Sequence, residues 1–369
     1  MSRNTIRVLM ISARADFGGG PEHVYRLLES LKEKAGLFAA IPEDIPYYER
    51  ICGLIGKEHV VAIPHRRFSF IYLLKIISFI FKKKINVVHS HGKGAGVYSR
   101  PAAFFTFSYC VHSFHGIHTG KYSRPAALLY RLYERLLSLI TNQFIATGDG
   151  ERNEALKAGL APRKKISLVH NGVVIPGIQA AFPTGGEFNI ITVTRFDEAK
   201  NPGLILPILQ SLRGHHPDKK VKLIIVGSGP GSQETASDIS LAGLDDMVEF
   251  TGSLSSVTDV YLRSFCYLST SKMEGLPLSV LEALSFGLPC VVTDVPGNND
   301  LIKPGLNGFL YGLHDPSLAA DNIVRLMTDE NLWNIYSKNA ATMIQQHYST
   351  EQMGEKVLAL YASLTGSAH

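Results

Sequence analysis

The chain has 369 residues, 45% hydrophobic and 19% charged, which excludes a disordered or low-complexity class and leaves room for two cored domains of roughly 150–190 residues. Its four cysteines (Cys52, Cys110, Cys266, Cys290) lack CxxC spacing and point to neither a disulfide framework nor a zinc site. The net charge of +5 is uneven: residues 1–180 carry 25 Lys+Arg against 12 Asp+Glu, and residues 181–369 carry 12 against 20.

In chain order, "IRVLMIS" (6–12) reads as a first strand rather than a signal peptide, so a reducing cytoplasm is expected. A helix is expected over 22–35. Next comes "RRFSFIYLLKIISFIFKKK" (66–84), whose apolar centre of fourteen residues contains Lys75. That centre is too short to span a bilayer. Between His59 and Arg135 there are twelve basic residues and one acid, Glu134. With Arg100, Lys121, Arg124, Arg131 and Arg135, the segment is expected to form a basic, partly apolar face suited to anionic lipid. Nucleic acid explains this charge less well, because no recognition motif accompanies it. "INVVHSH" (85–91), "QFIAT" (143–147) and "KISLVHN" (165–171) read as further strands. Five histidines fall between His89 and His118, yet His89 and His91 alternate on a strand and no carboxylate lies among them, so no metal is expected there.

The Gly- and Pro-rich stretch 172–187 reads as a linker. Beyond it, "FNIITVTR" (188–195), "VKLIIVG" (221–227), "VEFTG" (248–252), "CYLSTS" (266–271) and "LPCVVTD" (288–294) read as strands. Their unbroken apolar character fits parallel strands buried on both faces. "GSGPGS" (227–232) has Ser232 at the third glycine position and Pro230 inside, so it reads as a plain βα loop rather than a dinucleotide fingerprint. The expected architecture is α/β: two doubly wound Rossmann-like domains, 1–180 and 181–347, facing across a central cleft. A last helix over 348–364, within a tail of 348–369, is expected to return to the first domain.

"SKMEGLPLSVLEALSFG" (271–287) sets Glu274 and Glu282 eight positions apart in a segment otherwise poor in charge. Pro277 suits the start of a helix running from about Leu278 to Phe286 and ending at Gly287. Eight helical residues rise ~12 Å, which puts the carboxylates ~8–12 Å apart. That is wide for a glycosidase pair. It suits two hydroxyl acceptors gripping the ends of one elongated ligand, with a phosphate at the helix N-terminus between them. A nucleotide sugar has that layout.

"EGLPLSVLEA" resembles the E-x7-E signature of the retaining glycosyltransferases of family 4, which have the GT-B fold. The likeness continues through "FGGGPEHV" (17–24), "HSFHGIHTG" (112–120), "ISLVHNGV" (166–173), "TRFDEAKNP" (194–202), "LIIVGSGP" (223–230), "GLPCVVTDVPGNNDLI" and the "NGFL" run that includes Gly308, and covers roughly residues 5–345. The resemblance implies that Glu282 binds ribose hydroxyls and Glu274 binds hydroxyls of the donor sugar. It implies that backbone N–H groups near Gly275 and Leu276 meet sugar or diphosphate, and that Arg195 and Lys200 neutralise the leaving diphosphate. Gly18 and Gly19 would let their loop approach the phosphates, and His115 would stand near the attacking hydroxyl. The chain departs from many relatives at Gly20-Pro21-Glu22, so no role follows for Glu22. The expected activity is transfer of a hexose or N-acetylhexosamine, with retained configuration and no metal or other cofactor. The donor would be a UDP-sugar and the acceptor a lipid-linked glycan at the inner membrane face. Alternatives are a soluble phosphorylated acceptor, or a non-catalytic sugar-nucleotide-binding protein.

Overall fold

The computed structural model describes residues 6–117, 123–215 and 220–366, with the side chain of His215 excepted; His118 and Lys121 lie outside them. The chain divides into two compact units, Met1–Gly172 with Thr350–His369, and Val173–Ser349.

In the first unit the elements are β1 (Arg7–Ser12), α1 (Gly19–Leu31), β2 (Gly36–Ile41), α2 (Tyr47–Ile55), β3 (Val60–Ala62), α3 (Phe70–Lys83), β4 (Val87–His91), α4 (Lys93–Thr106), β5 (Tyr109–Ser113), α5 (Arg124–Leu139), β6 (Gln143–Ala146), α6 (Asp149–Lys157) and β7 (Ile166–Leu168). The second unit continues with β8 (Glu187–Val193), α7 (Ile205–His215), β9 (Lys220–Val226), α8 (Ser232–Leu241), β10 (Val248–Gly252), α9 (Thr258–Leu262), β11 (Cys266–Ser269), α10 (Leu278–Ser285), β12 (Cys290–Thr293), α11 (Asn298–Leu301), β13 (Gly308–Tyr311), α12 (Pro316–Thr328) and α13 (Glu330–His347). The chain then returns to the first unit as α14 (Thr350–Thr365).

Both sheets are parallel, in the order β3-β2-β1-β4-β5-β6-β7 and β10-β9-β8-β11-β12-β13. Alternation along the strands explains the apolar runs. Val8 and Met10 enter one core of the first sheet while Leu9 and Ile11 enter the other. In the second sheet Leu223 and Ile225 face one side, and Ile224 and Val226 the opposite side. Helices cover both faces, as parallel strands require. The hydrophobic pattern leaves four strands unannounced. β2 reads GLFAAI, with two alanines; β3 has only three residues; and β5 (YCVHS) and β13 (GFLY) have no local feature that sets them apart from the strands that are announced.

In each sheet the strand order reverses once, between β1 and β4 and between β8 and β11. Crevices outside the carboxyl ends of such strand pairs are where open α/β sheets bind ligands. The loops after β1, β8 and β11, at these reversals, carry Gly18–Gly19, Arg195 with Lys200, and Glu274, while His115 follows the neighbouring strand β5.

α14 packs on α1 because Met353, Val357 and Tyr361, at a spacing of four, enter the core that also holds Val24, Leu27 and Leu31. The contact is close: a Cβ at Gly354 would stand 2.4 Å from the Ser30 hydroxyl and 2.8 Å from its Cβ. Gly354→Ala should cost about 1–2 kcal/mol by overpacking and raise hydrogen exchange along α14. Unchanged exchange there would show that the packing tolerates a methyl group.

One expectation about the basic face is corrected. Arg100 is only 1% exposed, with Nη2 2.8 Å from Glu134 Oε2, so it is a core residue. α4 turns it inward because Tyr98, Ser99, Ala102 and Ala103 lie on the same buried side. The single acid of the segment is thereby also consumed in the interior.

Candidate active site

In the second unit, α10 begins at Leu278 with Pro277 as its N-cap and ends against Gly287, whose φ is +75°. Glu274 and Glu282 thus lie at the two ends of a loop-plus-first-turn segment, and only half of the eight steps between them are helical. Leu276 and Leu278 are buried anchors that fix the loop to the core, so Leu276 can meet a ligand only through its backbone. Gly297 lies directly beneath: a Cβ there would stand 2.6 Å from the Gly275 carbonyl oxygen and 2.9 Å from Glu274 Cβ, at a φ of +85°. The loop is seated against the start of α11, and only glycine permits it.

Lys200 joins this group. Its Nζ donates to Glu274 Oε1 at 2.6 Å, and the two side chains are largely shielded, at 19% and 11% exposure. The loop that carries Lys200 is stitched to the end of β11: Thr270 donates to the Lys200 carbonyl at 2.8 Å, and the Lys272 N–H donates to the Ala199 carbonyl at 2.8 Å. Arg195, just after β8, is half-exposed and pairs with Asp197 at 3.0 Å. Gly227 explains the neighbouring glycine run, since a Cβ there would meet the Thr194 carbonyl oxygen at 1.9 Å. That run is a close-packing device under Arg195. Glu282 accepts from the Tyr261 hydroxyl at 3.0 Å, and Tyr261 stacks on Phe286 at 5.2 Å. The segment 195–200 thus supplies two cations, and the loop before α10 and the helix itself each supply one fixed carboxylate, Glu274 and Glu282.

In the first unit, Gly18 caps α1 and Gly19 is its first residue. The preceding loop is held by Arg14, which donates to Asp16 at 2.7 and 2.8 Å and to the Phe17 carbonyl at 3.0 Å. Glu22 has a structural function. It accepts from Arg26 at 2.6 Å and Tyr47 at 2.5 Å, and pairs with Arg50 at 3.3 Å. Burial pushes its pKa up, but Arg26, Tyr47 and Arg50 together outweigh burial and hold it below the usual carboxylate range.

His115 follows β5 in a left-handed turn, at φ +53°, with Gly116 at φ +97°. Glu151, fully buried in the first turn of α6, fixes that turn by accepting from the Gly116 N–H, and it also accepts from the Thr147 N–H at 2.7 Å. The His115 ring meets His91 (Nδ1 to Nε2, 3.0 Å) and lies edge-on to His23 at 4.4 Å between centroids. His89 is tied to Tyr361 of α14 at 2.5 Å and to Ser113 at 2.8 Å. His112 bonds Ser90 at 2.8 Å and is structural. Burial drives the pKa of His115 down to about 4 and that of His89 to about 3, so both rings are neutral at pH 7. Sequence reasoning passed over His23, Glu151 and Tyr361. His23 reads as a core position of an amphipathic helix, and Glu151 as an ordinary first-turn acid.

The family model described as "Glycosyltransferase Family 4" matches residues 17–175, and that described as "Glycosyl transferases group 1" matches residues 178–343. The chain is 27% identical over 310 residues to the Escherichia coli UDP-Gal:alpha-D-GlcNAc-diphosphoundecaprenol alpha-1,3-galactosyltransferase, covering 79% of each chain. In fold it is similar to Anabaena HepE in complex with UDP and glucose (TM-score 0.83, 17% identity, 97% and 100% coverage). It is also similar to the sucrose-phosphate synthase of Thermosynechococcus elongatus (TM-score 0.79, 17% identity, 98% and 100% coverage). With the matched regions spanning both units, two parallel α/β sheets of GT-B type and the E-x7-E segment in place, the chain belongs to the family 4 glycosyltransferases.

Proposed function

We propose that this glycosyltransferase transfers a hexose or N-acetylhexosamine from a UDP-sugar to a lipid-linked glycan, with retention of configuration and without a metal. The observation that carries the reading is the Lys200–Glu274 pair beside the N-terminus of α10. A carboxylate held by a lysine accepts from sugar hydroxyls while the ammonium stays next to the phosphate that leaves. Arg195 supplies the second cation, so protein groups can stabilise the charge that develops. Glu282, fixed by Tyr261, takes the ribose hydroxyls. The Gly275 and Leu276 backbone approaches the phosphates, and a phosphate contact of the first unit's Gly18–Gly19 loop rests on the family resemblance alone. His115, neutral and held by the Glu151-bound turn, meets the attacking hydroxyl. The leaving phosphate takes that hydroxyl's proton. The first unit binds acceptor and the second binds donor. The test is calorimetric titration with UDP, GDP, NAD and a panel of UDP-sugars, with and without EDTA, followed by NMR of the anomeric centre of the product. Selective, EDTA-insensitive binding of UDP and one UDP-sugar is expected; NAD binding alone would sink the reading.

The acceptor assignment draws on the E. coli relative, whose name specifies a diphosphoundecaprenol-linked acceptor, and on the surface of the first unit. Among the described residues, no helix is long and apolar enough to cross a membrane. α3 exposes Phe70, Ile71, Leu74 and Phe81, and the end of α4 exposes Phe104, Phe105 and Phe107. α5 exposes six large side chains, Leu128, Leu129, Leu132, Tyr133, Leu136 and Leu139. Exposed Arg66, Arg67, Lys75, Lys82, Lys84, Arg124 and Arg131 accompany them. Such a face fits peripheral docking on the anionic cytoplasmic leaflet. The double variant Leu129→Glu/Leu132→Glu should reduce co-sedimentation with phosphatidylglycerol vesicles about tenfold and leave UDP binding intact. Equal sedimentation of variant and parent would remove α5 from the docking face.

A further inference from the structure

The histidines of the first unit form a group that the sequence conceals, because its third member comes from α1. His23, His91 and His115 each offer one ring nitrogen, and these atoms lie within 4.8 Å of one another. The ring centroids are 4.4, 5.3 and 5.3 Å apart, so the three imidazoles enclose one small space. His91 Nδ1 and His115 Nε2, at 3.0 Å, already have nearly the spacing of two nitrogens on one tetrahedral ion, ~3.3 Å for metal–nitrogen bonds of ~2.0 Å. His23 and His91 are only 4% and 6% exposed, so the group is enclosed; His91 meets His115 through Nδ1, and its Nε2, on the far side of the ring, is buried apart from that contact.

We infer that His23, His91 and His115 form a binding site for a borderline divalent transition-metal ion such as Zn²⁺, with a fourth position left for water or an anion. Imidazole nitrogen selects Zn²⁺, Co²⁺, Ni²⁺ or Cu²⁺ over Mg²⁺ and Ca²⁺, which want oxygen. Glu151 and Tyr361 preorganise the group, Glu151 by fixing the His115 turn and Tyr361 through His89, whose ring lies 4.1 Å from His91. A bound ion would take the lone pair of His115. Resting on the role proposed above for that ring, occupancy then switches transfer off, so the ion is an inhibitor and not a cofactor.

The test uses the full, tag-free chain, stripped with a chelator and titrated with Co²⁺ and Zn²⁺. Expected are one ion per chain, a visible Co²⁺ band of low-coordinate type that Zn²⁺ abolishes, and no response to Mg²⁺. His23→Ala should weaken uptake about 100-fold or more, because it removes a ligand and not merely an outer partner. His91→Gln provides a second variant should His23→Ala fail to fold, with far-UV circular dichroism as the check. No saturable uptake, or uptake unchanged in both variants, would overturn the site; the latter would assign the ion to the half-buried Asp16–Asp44–His65 group. Transfer activity is read separately. Uptake with EDTA-reversible loss of transfer supports both inferences, whereas uptake without inhibition leaves the site standing and removes His115 from the reaction.

Discussion

Glu274→Ala should lower kcat/KM for sugar transfer by about 10²–10³-fold while UDP affinity changes by no more than a few-fold. Two losses combine. The donor sugar loses a carboxylate that accepts from its hydroxyls, and Lys200 loses the partner that holds its ammonium at 2.6 Å. Glu282 remains held by Tyr261, so the ribose end of the ligand is untouched, which is why binding of UDP itself should survive. Lys200→Ala should behave differently, weakening UDP as well as slowing transfer, because a lysine beside the diphosphate contributes to both. The two residues act as one unit, so the double variant should be hardly worse than the poorer single variant. Steady-state kinetics and calorimetry on the three variants check this. Retention of more than about a tenth of the activity in Glu274→Ala would remove the residue from the site and favour a protein that binds sugar nucleotides without reacting them.

What the sequence makes legible follows from where information is local. The strands that hold the second sheet together are apolar runs because both faces are buried, and they are visible for that reason. The E-x7-E segment is visible because Pro277 and Gly287 bracket the helix between them. The Lys200–Glu274 pair is a different matter. Seventy-four positions separate its members, and only the parallel adjacency of β8 and β11 brings their loops together. The same limit conceals the histidine group: His23 is contributed by α1, His91 by the end of β4 and His115 by the turn after β5. Composition also misleads where a charge is buried. Arg100 counts as basic surface in the sequence and is a core residue in the fold. The apolar stripe of α5, at 128, 129, 132, 136 and 139, lies among arginines that dominate the composition of the segment.

Glu134→Ala should destabilise the first unit by about 3–5 kcal/mol, the cost typical of leaving one member of a buried ion pair alone. Arg100 cannot shed its proton, and its Nε already lies buried without a hydrogen-bond partner, so the single bond from Nη2 to Glu134 is what compensates the charge. The ring of Phe144, 5.8 Å from the guanidinium, is a weak substitute. Glu134→Gln, which keeps an acceptor and loses the charge, should cost less. Arg100→Met with Glu134→Leu should recover most of the loss, since burying neither charge avoids the desolvation that the pair has to offset. The only tryptophan, Trp333, belongs to the second unit, so its fluorescence reports that unit, while far-UV circular dichroism reports both. The expected result is an earlier dichroism transition in urea with the fluorescence transition unmoved. Coincident shifts of both signals would show instead that the two units unfold together. The pair also separates stability from docking. Because neither member reaches solvent, the Arg100→Met/Glu134→Leu variant should bind phosphatidylglycerol vesicles as the parent does, and a loss of binding would mean that the basic face depends on the core beneath it.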